Sequence, residues 1–165
     1  MALEKVFENK VKAYLESIGC YDFGTPKHKI TKPIIGYWTK RWGGGKFTKS
    51  GLPDMQVVIN GRCIELEIKA PKGKPTELQL KNIDMINRSG GKGFILVESE
   101  ETADKLTTWR FNNYPQYSRA YVMDFKNFKC FCQKLLTLWI TFFIIVYVSW
   151  YYFISTNINK KGSTS

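Results

Sequence analysis

Between residues 4 and 18, Phe7, Val11, Tyr14, Leu15 and Ile18 recur at the three- and four-residue spacing of one helix face, and Gly19 follows as a stop. The period then shortens. Residues 34–39 predict a strand, and a glycine-broken loop comes after it. Residues 55–60 and 62–69 are two apolar-rich runs joined by Asn60-Gly61, the dipeptide that most strongly signals a tight hairpin. Thr76-Glu77-Leu78-Gln79 has the form of a capping box and predicts a helix to about residue 88, with Ser89-Gly90-Gly91 as its exit. Residues 93–97 are uniformly apolar after the glycine and predict a buried strand. The order is helix, strand, strand, strand, helix, strand.

Residues 99–134 carry weaker patterns. A turn-rich loop falls at 112–118, a short strand is predicted at 120–125, and Phe125, Phe128 and Cys132 have helical spacing. Residues 135–154 then hold twenty positions without a charge, enough to cross a bilayer as a helix. Trp139, Trp150, Tyr151 and Tyr152 suit the interfacial aromatic belt, and Lys126, Lys129 and Lys134 precede the run. The segment is equally compatible with a helix or hairpin packed into the fold, or with an incidental extension. The chain therefore divides into a domain at 1–134, a hydrophobic segment at 135–155 that is a candidate membrane span, and a polar tail at 156–165.

At 165 residues, the chain has enough apolar content for one ordinary core. Twenty-five Lys and Arg against fourteen Asp and Glu give a formal charge of +11, which points to a polyanionic partner, nucleic acid or an anionic membrane. Four scattered cysteines and the lone His28 do not form a zinc motif, so reduced thiols are expected. The charged N-terminus has no apolar signal core, and the expected location is the cytoplasm, with tail anchoring to a membrane open.

With Asn60 and Gly61 as the two loop residues, Ile59 faces Arg62 and Asp54 falls opposite Glu67. In that register Val57, Ile59, Ile64, Leu66 and Ile68 share one face, as a core requires, while Asp54, Glu65 and Glu67 share the other. Opposed carboxylates about 4.5–5.5 Å apart at Cβ repel, so a cation is needed. Mg²⁺, with Mn²⁺ as an alternative, takes such a carboxylate pair while keeping several waters. Lys69 emerges on the same face as Glu67, where its ammonium can orient a water or stabilise charge on an attacked phosphodiester. The competing reading leaves Glu67 and Lys69 solvated on an open sheet face, balanced by Arg62 and Lys72, and Glu65 fits that reading too.

Pro53-Asp54 followed by Glu67-Ile68-Lys69, within this element order, resembles the PD-(D/E)XK nuclease superfamily. The longer string at residues 50–97 is more closely similar to its VRR-NUC group, found in phages and in structure-specific repair nucleases. The resemblance covers about residues 4–98. It implies an α/β fold with a restriction-endonuclease-like αβββαβ core, a mixed sheet flanked by helices, and a Mg²⁺-dependent endonuclease acting on branched or structured DNA. By the same resemblance, Asp54 and Glu67 hold the metal, Lys69 is the catalytic lysine, Glu8 the first-helix acid with Glu4 one turn away as its substitute, and Gln79 a glutamine beside the site. Homodimerisation is implied by similar junction resolvases. Before the hairpin, Lys40, Arg41, Lys46 and Lys49 form an acid-free basic run suited to backbone phosphates, with Trp42 and Trp38 placed to stack on unpaired bases or, for Trp38, to fill the core. A DNA-binding module without activity and a membrane-anchored basic protein are the competing functions.

Overall fold

The computed structural model describes residues 2–41 and 50–161, with side chains in the final helix described at 125–138, 141–142 and 144–150. Helix α1 spans Ala2–Ser17, followed by strands β1 (Cys20–Asp22) and β2 (Gly36–Lys40), with a short 3-10 turn at Lys27–Lys29 between them. The hairpin strands are β3 (Met55–Ile59) and β4 (Arg62–Ile68). Helix α2 (Glu77–Arg88), β5 (Lys92–Val97), α3 (Glu100–Asn113), β6 (Tyr121–Asp124) and α4 (Phe125–Lys161) complete the chain.

The six strands form one mixed sheet in sequence order. Strands β2, β3 and β4 are antiparallel, while β1 lies parallel to β2, and β5 and β6 continue parallel from β4. Asn60 and Gly61 both adopt positive φ, 48° and 76°, the conformation that a two-residue turn needs to match the twist of its strands. The resulting pairs, Ile59 with Arg62 through Met55 with Leu66, are those predicted from the sequence.

Helices cover both faces. On one, α1 and the start of α4 bury Phe7, Val11, Leu15, Phe128, Cys132 and Leu135 against Val57, Ile64, Leu66 and Leu96. On the other, α2 and α3 bury Leu80, Ile83, Ala103 and Leu106 against Ile95 and Val97. Trp38 belongs to the first core at 6% exposure, so its indole fills the interior and cannot stack on a base; the ammonium of Lys12 lies 5.2 Å from its ring centre.

Two elements were not predicted. β1 has only three residues, and α3 buries little besides Ala103, Leu106 and Arg110. The hydrophobic segment is helical, but as the continuation of α4, whose Asn127 N–H donates to the Asp124 carboxylate at its N-terminus. Leu135 and Leu136 still pack in the core, whereas Leu138, Phe142, Ile144, Ile145 and Trp150 are exposed. Among the described residues no helix is long and apolar enough to cross a membrane. The expected span over 135–154 rests in part on side chains outside those described.

Candidate active site

Asp54 sits one residue before β3, where the Arg41 N–H donates to its carbonyl and continues the β2–β3 ladder. Its side chain turns across to β4, and Oδ2 accepts the Ile68 N–H at 2.8 Å. That bond holds the carboxylate opposite Glu67 although the backbone ladder stops at Met55. Glu67 lies in the central strand β4, between β3 and β5, and is 1% exposed. It is therefore not a solvated surface acid. Lys69 follows directly, its N–H bonded to the Leu96 carbonyl, so strand geometry carries past the end of β4 and sends the side chain to the Glu67 face.

Two groups converge on one oxygen of Glu67. The Lys69 ammonium stands 2.6 Å from Glu67 Oε1, and the Gln79 Nε2 amide donates to the same oxygen at 2.5 Å. Gln79 also closes the α2 capping box: its Oε1 accepts the Thr76 N–H at 2.8 Å, and the Thr76 hydroxyl accepts the Gln79 N–H. One amide thus fixes the helix start and points its other end at the acid. Glu67 Oε2 is buried and has no hydrogen-bond partner among the described residues.

Such an orphaned oxygen is costly. Burial and the neighbouring Asp54 charge raise the Glu67 carboxyl to about 7 despite the attraction of Lys69. Asp54 is also raised, by burial above all, against the lowering effects of the Ile68 N–H and of Lys69. Lys69 offsets the two carboxylates only in part, since both stay raised in its presence. No group of three or more His, Cys, Asp or Glu among the described residues is arranged to hold a metal. Mg²⁺ does not require one, since one or two carboxylates with water and substrate phosphate oxygens suffice. The bare Glu67 oxygen and the two raised carboxyls fit such an ion.

The first-helix acids separate. Glu8 is buried, and Lys5, Lys12 and Lys40 all ion-pair with it. Burial acts to raise its carboxyl, but the hydrogen bonds from Lys12, Lys40 and Lys5 overcome this and hold it at about 2. Its partners are thus cations, with no direct bond to Asp54 or Glu67. Glu4 is the α1 carboxylate whose charge bears on both site acids, raising each.

The basic run is likewise engaged from within. Lys40 Nζ lies 2.6 Å from Glu8 Oε2, and the Arg41 guanidinium forms a fork with both oxygens of Glu65, which also accepts from Gln56 Nε2 at 3.0 Å. The sequence reading missed this Arg41–Glu65 pair; the alternation that put Glu65 on the Glu67 face was its only signal. Lys46, Lys49 and Trp42 lie outside the described residues. His28 is exposed in the 3-10 turn, and all four cysteines are free thiols.

Compared with models of known protein families, with characterised proteins and with solved structures, the chain matches none.

Proposed function

We propose that the chain is a metal-dependent DNA endonuclease, similar to the VRR-NUC group of PD-(D/E)XK nucleases, with a restriction-endonuclease-like core and branched or structured DNA as its substrate. The observation that carries this reading is Glu67: a carboxylate in the middle of a sheet, opposite Asp54, with Lys69 and Gln79 on one oxygen and, among the described residues, no partner on the other. Lys69 and Gln79 compensate one oxygen of this buried acid, and a bound cation would compensate the other. The net charge of +11 supports a polyanionic substrate.

Asp54 and Glu67 would hold Mg²⁺ or Mn²⁺, which when bound lowers the pKa of water and neutralises phosphate charge. The protein's own residues do the rest. The Ile68 N–H fixes the Asp54 carboxylate and the Gln79 amide fixes that of Glu67, so neither must reorganise when substrate arrives. Lys69 is held on the same face by Glu67, where its ammonium offsets the charge that builds on the phosphate oxygens during in-line attack by water. Glu4 adds negative potential from α1 and strengthens the demand for a cation. Glu8 serves the reading only indirectly, by anchoring Lys40 beside the start of the hairpin.

The test is incubation of the chain with labelled four-way junction, flap, single-stranded and duplex DNA in Mg²⁺, Mn²⁺ or EDTA, beside Asp54→Asn and Lys69→Ala. Cutting that requires metal and falls at least a hundredfold in both variants is expected. Binding without cutting in any metal would leave a DNA-binding module in place of the nuclease.

A further inference from the structure

A second basic surface lies one loop from the site. The segment joining Lys69 to α2 carries Lys72 and Lys74, and α3 brings Thr102, Lys105, Leu106 and Trp109 against it around a cavity of about 110 Å³. Leu106 is buried beneath, and Trp109 is half-buried with its ring beside the opening. Lys74 Nζ stands 5.0 Å from the Trp109 ring centre. Gly73 turns the loop tightly, its N–H donating to the Ala70 carbonyl at 2.8 Å. A Cβ at Gly73 would lie 3.7 Å from Lys69 Cδ, so this turn rests against the stem of the lysine in the site.

The cations here differ from Lys40 and Arg41. Those two are committed to Glu8 and Glu65, while among the described residues neither Lys72 nor Lys74 forms an ion pair with a carboxylate. Lys105 is paired, with Glu101 on its own helix. The contact of Lys74 with the indole is weak at an exposed position and readily exchanged for a phosphate. Its departure would leave the ring face open to a nucleobase, and a phosphate chain next to an aromatic face is how unpaired strands are held.

We propose that Lys72, Lys74 and Trp109 form a subsite for an unpaired nucleic-acid strand, the two lysines taking phosphates beside the one cut and Trp109 taking a base. The subsite rests on the reading of the chain as DNA-binding, and it supplies a preference for substrates with a single-stranded arm. It adds to the site a contact that neither Asp54 nor Glu67 can make.

The test measures binding by fluorescence anisotropy, with the full chain in EDTA so that no cutting occurs. A labelled single strand and a labelled duplex are titrated across a range of salt concentrations. The Lys72→Ala, Lys74→Ala double variant should bind the single strand about tenfold more weakly, and its slope of log affinity against log salt should shrink by about 1.4, two phosphates at about 0.7 each. Trp109→Leu should weaken single-strand binding about tenfold, leaving the salt slope and duplex affinity unchanged, while Trp109→Phe should retain most of the affinity. Circular dichroism confirms that each variant is folded. An unaltered salt slope in the double variant overturns the proposal, as does a folded Trp109→Phe that loses as much as Trp109→Leu. Single-strand binding with these effects but no cutting in any metal retains the subsite and removes the nuclease; absence of DNA binding by the unaltered chain removes both.

Discussion

The β3–β4 hairpin and the distal half of α4 invert the usual distribution of polarity in opposite senses. In the hairpin, Glu67 is 1% exposed in the central strand; in α4, Ile145 and Phe142 are each 64% exposed. Burying a carboxylate costs several kcal/mol unless it is paired, and here Lys69, just past the same strand, and Gln79, from a helix cap, pair one oxygen while the charge of Asp54, pinned opposite by a backbone N–H, opposes ionisation. The exposed aliphatic residues of α4 have no such support among the described residues. Polar groups inside a core mark the part of the molecule whose chemistry the fold is built around. Apolar groups outside it mark a part that the fold does not need. The contrast can be broken by substitution at either end.

The largest effect should come from Lys69→Met. It removes the cation from a buried acid and should destabilise the chain by about 3 kcal/mol at pH 8. Below about pH 6 the loss should be smaller, because Glu67 then carries a proton and has less need of a partner. Urea unfolding at the two pH values checks this. Ile144→Ser in α4 should change stability by less than about 0.5 kcal/mol in the same measurement, and equal costs at the two sites would erase the comparison.

Next in size is the dependence on pH itself. The Glu67 carboxyl rises from 4.5 to about 7 on folding, so between those values the folded chain binds the extra proton. Stability must therefore fall as pH rises through that window, by up to about 1.4 kcal/mol per pH unit, with Asp54 acting in the same direction. Glu8 works oppositely: held at about 2, it stabilises the fold above its ordinary pKa of 4.5, a contribution lost as pH falls toward 2. The expected profile has its maximum near pH 4 to 5. Millimolar Mg²⁺ should restore stability on the neutral side, since the cation replaces the proton on Glu67. Glu67→Gln should abolish the Mg²⁺ response and reduce the neutral slope to the part that Asp54 contributes, and an undiminished slope in that variant would place its origin elsewhere.

A smaller effect separates the two duties of Gln79. Thr76→Ala removes only the cap and should cost about 1 kcal/mol. Gln79→Ala removes its part of the cap and the bond to Glu67, and should cost about 1 kcal/mol more, with a further rise in the Glu67 pKa visible as an upward shift of the neutral slope. Indistinguishable unfolding curves for the two variants would mean that the amide serves α2 alone.

The hairpin was legible in the sequence because two local rules agreed there, the Asn60-Gly61 turn and the alternation of Val57, Ile59, Ile64 and Leu66, and the facing of Asp54 with Glu67 followed from the register they set. Capping at Thr76 was legible for the same reason. Helix α3 was not, since its buried stripe contains only Ala103, Leu106 and the polar Arg110, with threonines at Thr107 and Thr108, and tertiary packing rather than periodicity makes it helical. The different surroundings of Glu4 and Glu8 were beyond sequence as well. The two acids stand one turn apart on α1, and what separates them is Lys40, arriving from β2 to engage Glu8. The sign of a charge run was readable, but not which of its members the fold would keep for itself: Arg41 goes to Glu65, while Lys72 and Lys74 stay without a carboxylate partner among the described residues.

The smallest expected effect tests the other side of the comparison. A chain ending at Thr137 keeps Leu135 and Leu136 in the core, together with the bond from the Asn60 side chain to the Leu135 carbonyl and that from the Tyr14 hydroxyl to Lys129. It loses the exposed residues from Leu138 onward, and its thermal unfolding should match that of the full chain to within about 0.5 kcal/mol. Ending three residues earlier, at Lys134, should be worse by about 2 kcal/mol, because Leu135 is 6% exposed and its loss opens the core. Equal stability at both end points would mean that the last turn of α4 in the core contributes nothing. A large loss at Thr137 would mean instead that the distal helix is covered in solution, and sedimentation of the full chain against the shortened one would then show whether a second copy covers it.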